Sequence, residues 1–387
     1  MSNAPHFEID LDSFWKNPYP ILSKLRKNFP LAYVPQLDAV LMTKRKDIFE
    51  NEKLIDVFSS FQPEGLMVKL MGNNMMRKDG VEHINERKAI FPSISPKTVK
   101  NIWKKKFEET TDQIIENLLN KDEGDLLKDF GIPVSAEALK VVTGLTNMSS
   151  SQMDKVSQGM IDGIANYSNN SKIFENCNEC TELIDKKIDE MIPKLINDQN
   201  YSLLSVQLKS GLDHNQIRAN IKLAISGGQN EPRDALAGTV WALLSNPNQL
   251  EMIKKSQYSW VDGFEEYCRW IAPVGMSPRR IAKKFQINGI VLDPEDKIFF
   301  MFGSANRDEE YFANPYSFDI EQDRSSSIAF GAGPHFCAGA WISRCLIGEV
   351  ALPKLFQRLP NIKLDETKNV TFRGWAFRGP LSVFCKW

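Results

Sequence analysis

Between Ile217 and Asn246 the chain spells a long, mostly buried helix and interrupts it in the middle. Apolar residues at 221, 223, 224, 225, 235, 236, 240, 243 and 244 leave little polar face for solvent, so other elements must pack around it. Its centre reads Gly227-Gly228-Gln229-Asn230-Glu231-Pro232-Arg233-Asp234. In a helix interior glycine costs ~1 kcal/mol and proline ~3 kcal/mol, and polar side chains crowd the same place. A break of this kind in a buried helix is where a functional site is expected.

The second constraint is Ser327 to Gly348, SIAFGAGPHFCAGAWISRCLIG. Glycines at 331, 333 and 339 flank Cys337, and the residues after it fall at the three-and-four spacing of a helix face. Cys337 therefore sits where a glycine-rich turn opens into a helix. Backbone N–H groups and the helix dipole favour a thiolate there, and the glycines let a flat ligand approach the backbone. Such a thiolate is a soft ligand suited to haem iron. The other five cysteines read as small buried hydrophobes. Cys177-Asn-Glu-Cys180 lacks a second ligand pair for zinc, with only four histidines in the chain, and reads as chance spacing on a helix.

Two charged pairs sit at helical spacing. His83 and Arg87 project from one face, with a solvated surface among Glu82, Glu86 and Lys88 as the plain alternative. Glu266 and Arg269 read on their own as an exposed ion pair, the commoner explanation.

The net charge of -1 gives no reason to expect nucleic acid or an anionic membrane as partner. The N-terminal stretch has no apolar signal core, and no window approaches the ~20 apolar residues of a membrane span. With no paired cysteine framework, the expectation is a soluble, cytoplasmic monomer. Leu31–Val34 and Ala39–Met42 predict two strands across a turn, and residues 281–302 a small sheet with Asn288-Gly289 as hairpin turn. Residues 59–80 predict a methionine-rich loop, 100–145 a long helical run with Pro133 as a break or first-turn residue, and 150–197 two amphipathic helices jointed at Tyr167–Ser171.

The string Phe330-Gly331-x-Gly333-x-His335-x-Cys337-x-Gly339 resembles the haem-binding signature of the cytochrome P-450 superfamily. H-x-x-x-R at 83–87, E-x-x-R at 266–269 and Arg280 occur in the family's order, so the resemblance covers nearly the whole chain. It implies a single, mainly α domain over residues 1–387 with a small β-rich region. The cofactor would be haem b with Cys337 as axial ligand to iron. His83, Arg87, Arg280 (less favourably Arg279) and His335 would bind its propionates, Phe330 and Gly339 would flank it, and Glu266 with Arg269 would form a structural pair. Phe61, Leu66, Met67, Leu70, Ile164, Leu223, Val274, Met276 and Phe377 would line the substrate pocket. The implied activity is a monooxygenase that uses O2 and two electrons from a ferredoxin and ferredoxin reductase, or from a flavoprotein reductase. Lys104, Lys105, Lys106 and Arg344 are its docking candidates. Aligned on Gly227-Gly228, the family's acid and alcohol positions are here Asn230 and Glu231, a departure from the ordinary proton relay. The resemblance makes Glu231, Asn230, Gly227 and Gly228 the catalytic candidates, and burial would raise the pKa of Glu231 so that it could still accept and donate a proton. Gly-Gly-x-Asn-Glu-Pro-Arg-Asp is similar to a bacterial subset associated with O-demethylation of small methoxy-aromatic compounds. A peroxide-driven peroxygenase and a non-catalytic haem sensor stand as alternatives.

Overall fold

The computed structural model describes residues 2–166 and 169–387. Its main helices run, in chain order, α1 (Tyr19–Asn28), α2 (Arg45–Asn51), α3 (Leu66–Met71), α4 (Gly80–Ile94), α5 (Lys104–Leu119), α6 (Ile132–Thr143), α7 (Ser150–Ile164), α8 (Ser171–Asn197), α9 (His214–Ser226), α10 (Asn230–Ser245) and α11 (Trp260–Ile271). The chain divides into two compact units, each assembled from three separate stretches. No helix among the described residues is long and apolar enough to cross a membrane.

The first unit takes residues 1–61, 237–337 and 364–383. Strands β1 (Leu31–Val34) and β2 (Ala39–Met42) form the expected hairpin, with Leu31 opposite Met42. They join a five-stranded sheet in the order β1-β2-β8-β5-β3, where β3 is Phe58–Ser59, β5 Ser277–Ile281 and β8 Lys297–Phe300. Leu31, Val40, Met42, Phe58, Ile281, Ile298 and Phe300 bury one apolar cluster. Ala32, Val34, Leu41 and Phe299 bury another with Phe14, Leu22 and Leu25. Alternate residues of one strand thus feed opposite faces of the sheet. Strands β6 (Phe285–Ile287) and β7 (Ile290–Leu292) pair across Asn288 and Gly289, whose φ values of 51° and 79° suit a two-residue hairpin turn.

The second unit takes residues 62–236, 338–363 and 384–387. Its core includes Phe107, Ile115, Phe130, Met153, Val156, Ile184, Ile188, Ile221 and Ile225, buried between helices. A strand β4 (Glu123–Asp125) pairs antiparallel with β12 (Phe384–Lys386).

Three expectations need correction. Residues 59–80 are not all loop, because Leu66–Met71 is helical and Met75–Arg77 forms a 3-10 turn; six residues are too few to show a periodic pattern. The run 100–145 is interrupted by β4 and resumes as α6, with Pro133 in its first turn as expected. The spacing of Cys177 and Cys180 has a packing reason. A Cβ on Gly163 would come within 2.6 Å of the Cys177 Sγ, and one on Gly159 within 2.5 Å of the Cys180 Sγ. Two thiols on α8 thus fill two glycine notches on α7. Helices α7 and α8 match the expected pair; of the joint between them, Tyr167 and Ser168 lie outside the described residues.

Candidate functional site

The first unit presents the cysteine loop. Gly331 and Gly333 have φ of 75° and 66°, a region open to glycine at little cost. The Cys337 N–H donates to the Phe330 carbonyl at 2.8 Å, and the Phe336 N–H to Gly333 at 3.2 Å, so backbone bonds close the loop on itself. Phe330 packs against Phe264 of α11, ring centroids 6.2 Å apart. His335 is half-buried, with Nε2 and the Ser60 Oγ at 3.1 Å. Cys337 is exposed, whereas the other five cysteines are buried. Burial pushes the thiols of Cys177 and Cys345 up to about 11 and about 12. Exposure therefore separates one thiol from five.

Around that loop the unit holds three cations in different ways. Arg269 and Glu266 are both fully buried, which removes the exposed-pair reading. Arg269 donates from Nε to Glu266 Oε2 (2.8 Å) and from Nη2 to Oε1 (2.6 Å). Its other hydrogens reach the carbonyls of Asn306, Pro315 and Ser317. Glu266 also accepts from the Asp319 N–H and from Gln322. A buried pair with every partner present avoids the penalty of a stranded charge. Arg279 is buried beside Glu52, at 3.4 Å. Arg280 keeps a quarter of its side chain in solvent, donates from Nε to the Phe61 carbonyl at 3.0 Å and pairs with Glu295. Val274 bridges Phe377, and the Gly275 backbone lies so close to Trp375 that a Cβ would come within 2.0 Å of its carbonyl oxygen. Met276 packs in the cluster that holds Trp375. The structure thus sets Val274 beside Phe377, while Met276 packs in the other apolar cluster; Phe61 sits with Arg280, its ring 5.7 Å from the guanidinium.

The second unit presents the helix break. Helix α9 stops at Ser226 with Gly227 as cap, and α10 restarts at Asn230. Pro232 then falls in a first turn, where its missing N–H costs nothing. Neighbouring helices satisfy the freed groups. Ser135 of α6 donates to the Gln229 carbonyl at 2.8 Å and Ser157 of α7 to Ile225 at 3.2 Å. Asp154 of α7 accepts from Gln229 Nε2 and Arg233 Nη1, both at 3.1 Å. Gln158, one turn on, accepts from Asn230 Nδ2 at 3.1 Å. The Glu231 Oε2 is out of contact with water and has no hydrogen-bond partner among the described residues, as do Gln229 Oε1 and Asn230 Oδ1. Burial, helped by the neighbouring Asp234 and opposed by its own backbone N–H and Arg233, pushes the Glu231 carboxyl up to about 7. Burial also raises Asp234, with Arg233 holding it back.

His83 and Arg87 share a face of α4, His83 buried and Arg87 half-buried. The expected alternative of a solvated face fails at Glu86 as well. That carboxylate is buried, paired with Lys78, and accepts from Gln216 at 3.0 Å and Asn220 at 2.7 Å. Of the remaining pocket candidates, Met67 is buried, and Leu66, Leu70, Ile164 and Leu223 are half-buried. Leu70 lies against Gly163 of α7. Sequence reasoning missed Glu52, Ser135, Asp154 and Gln158. For Asp154 and Gln158 a signal existed, polar residues one turn apart on α7; for Glu52 there was none.

Within the first unit, an exposed soft thiol, a loop with two left-handed glycines and the Arg280 guanidinium make a donor set that fits haem. A sequence model of the family described as Cytochrome P450 matches residues 111–371. The chain belongs to that family, and its cofactor is haem b. It is similar to the polyketide biosynthesis cytochrome P450 PksS of Bacillus subtilis, 26% identical over 93% of this chain and 95% of that protein. It is similar also to the vitamin D(3) 25-hydroxylase of Pseudonocardia autotrophica, 24% identical over 91% of this chain and 89% of that one. The structure of P450BioI in complex with an acyl carrier protein carrying hexadec-9Z-enoic acid has a TM-score of 0.89 at 20% identity, covering 98% of this chain and all of that chain. The protein is a cytochrome P450 monooxygenase, an oxidoreductase that draws on O2 and electrons from a redox partner.

Proposed function

We propose that this monooxygenase hydroxylates or O-demethylates a small organic substrate, with methoxy-aromatic compounds as the first class to test. It would work as a monomeric single domain over residues 1–387 in the cytoplasm. The interleaving of the two units along the chain supports the single domain, and cysteines kept as thiols support the compartment. Electrons would come from a ferredoxin and its reductase, or from a flavoprotein reductase. Lys104, Lys105 and Arg344 supply cationic groups for docking, although Lys104 also pairs with Glu349 at 2.7 Å.

When bound, haem supplies the chemistry of reductive O2 activation. Cys337 would hold it by sulfur, His83, Arg87, Arg280 and His335 would hold its carboxylates, and Phe330 and Gly339 would flank it. Glu266 and Arg269 fix the frame behind the loop. Glu231 stores a proton at Oε2 and delivers it toward the reacting centre. Asn230 and the glycine pair 227–228 keep the helix open at that point. Phe61, Val274, Met276 and Phe377 of the first unit, and Leu66, Met67, Leu70, Ile164 and Leu223 of the second, are the side chains that would face the substrate.

The observation that carries this reading is the unpartnered, buried Oε2 of a carboxyl poised near neutrality, since a proton donor works best when its pKa lies near the working pH. The test is turnover by the purified, haem-loaded chain of a panel of methoxy-aromatics, with a steroid and a fatty acyl compound alongside, because one relative is named a steroid C26-monooxygenase and a similar structure is in complex with a fatty-acid-ligated carrier protein. Formaldehyde that requires NAD(P)H and a surrogate ferredoxin system, and that falls by ~10²-fold in Glu231→Gln, is the expected result. Product from the steroid alone overturns the substrate class, product with peroxide and no reductase overturns the electron route, and unchanged turnover in Glu231→Gln removes Glu231 from the relay.

A further inference from the structure

The cysteine loop contains a backbone donor whose acceptor comes from far away in sequence. Ala332 lies between the two left-handed glycines and is buried. A buried N–H has to find an acceptor, and that of Ala332 donates to the Glu52 Oε2. Glu52 caps the C-terminal end of α2, where its own N–H donates to Ile48 at 2.9 Å. Its side chain is 2% exposed, and the Arg279 Nη2 stands 3.4 Å from Oε1. The main chain of Glu52 touches the loop too. A Cβ on Gly333 would come within 3.1 Å of the Glu52 carbonyl oxygen, and one on Gly331 within 3.8 Å of both carboxylate oxygens.

Glycine loses more conformational freedom on folding than any other residue, so a loop with two left-handed glycines needs an anchor outside itself. Among the described residues, Glu52 supplies the side chain that reaches the N–H between them. We propose that Glu52 is a positioning residue for the cysteine loop: its carboxylate pins Ala332 and thereby sets how Cys337 presents its sulfur to haem. The inference rests on the reading of Cys337 as the ligand. It has a second consequence through charge. A carboxylate held in low dielectric beside the loop disfavours adding an electron at the group Cys337 binds. Arg279, adjacent to Arg280 on β5, anchors the carboxylate from the other side, so one side chain joins the two segments of this unit that bear ligand-holding residues.

The experiment uses the haem-loaded full chain and three readouts. These are the carbon monoxide band of the reduced thiolate form from which the family takes its name, the rate of haem transfer to excess apomyoglobin, and the midpoint potential measured well above pH 7, because burial, opposed by Arg279 and the Ala332 N–H, pushes the Glu52 carboxyl up to about 7. Glu52→Ala should lose part of the thiolate band and release haem about tenfold faster, the factor expected for one lost charge-assisted hydrogen bond. Glu52→Gln keeps an acceptor for Ala332 and drops the charge, so it should keep the band and shift the potential to more positive values. If Glu52→Ala fails to fold, Glu52→Gln decides alone, and an unshifted potential overturns the proposal. Wild-type band, haem retention and potential in both variants also overturn it while the Cys337 reading stands. A wild-type protein without the band, or a Cys337→Ser variant that keeps it, overturns the Cys337 reading and this inference with it.

Discussion

The loop that carries Cys337 exposes its reactive atom and fixes it through backbone hydrogen bonds, whereas the break that carries Glu231 buries its reactive atom and is held by side chains from α6 and α7. The two solutions follow from the two chemistries. A soft donor has to meet a large ligand directly, so the chain must bring up a thin, glycine-built edge. A proton donor gains from burial, which moves a carboxyl from its ordinary 4.5 to about 7 without any dedicated partner. Each unit therefore shows one way to make a side chain useful: one by clearing the backbone around it, the other by withholding solvent.

The largest effect should come from breaking the first arrangement at its reactive atom. Cys337→Ala should abolish the thiolate band and the turnover together, while Cys345→Ala, a buried thiol, should leave the band in place; reduced-carbonyl spectra of both variants check this. Next comes the frame behind the loop. Arg269→Ala leaves the fully buried Glu266 without its cation, a change that typically costs 3–5 kcal/mol, so roughly that loss is expected in denaturant unfolding. The smallest effect sharpens the second arrangement. The Glu231 carboxyl titrates higher in the folded chain than when unfolded, so the fold favours its protonated form. Its contribution is fully present below about 4.5 and is lost as pH rises through about 7, worth roughly 3 kcal/mol at most. Glu231→Gln should lack that slope, so the variant gains on the wild type between those values when stability is followed against pH. Glu52 is raised as well and is common to both curves, whereas Asp234 couples to Glu231, so the difference between the two curves reports the Glu231–Asp234 pair.

Local chemistry was readable where one residue type forces one backbone. Asn288-Gly289 gave its hairpin away, as the glycine pair and Pro232 did for the helix break. Glu266 and Arg269 could be paired from spacing, but their full burial depends on carbonyls at 306, 315 and 317, which no spacing encodes. The α3 helix escaped notice because it is under two turns long, and β4 because its partner strand lies at 384–386. Glu52 was invisible for the same reason as β4. Its acceptor role exists only once residue 332 folds back onto residue 52.

The interleaving of the chain has a consequence for how the protein is made. Residues 364–383 belong to the unit that begins with residues 1–61, and residues 384–387 return to the other unit, where β12 pairs with β4. During synthesis neither unit can close when its first stretch leaves the ribosome. Strand β8 must wait for nothing but its own emergence to join β2, whereas β4 stands without its β12 partner until residues 384–386 have emerged. Most multi-part chains fold their first domain while the second is still being translated. This one must hold two unfinished bodies at once, so its yield in a cell should depend on chaperone supply and on translation speed more than its final stability would suggest.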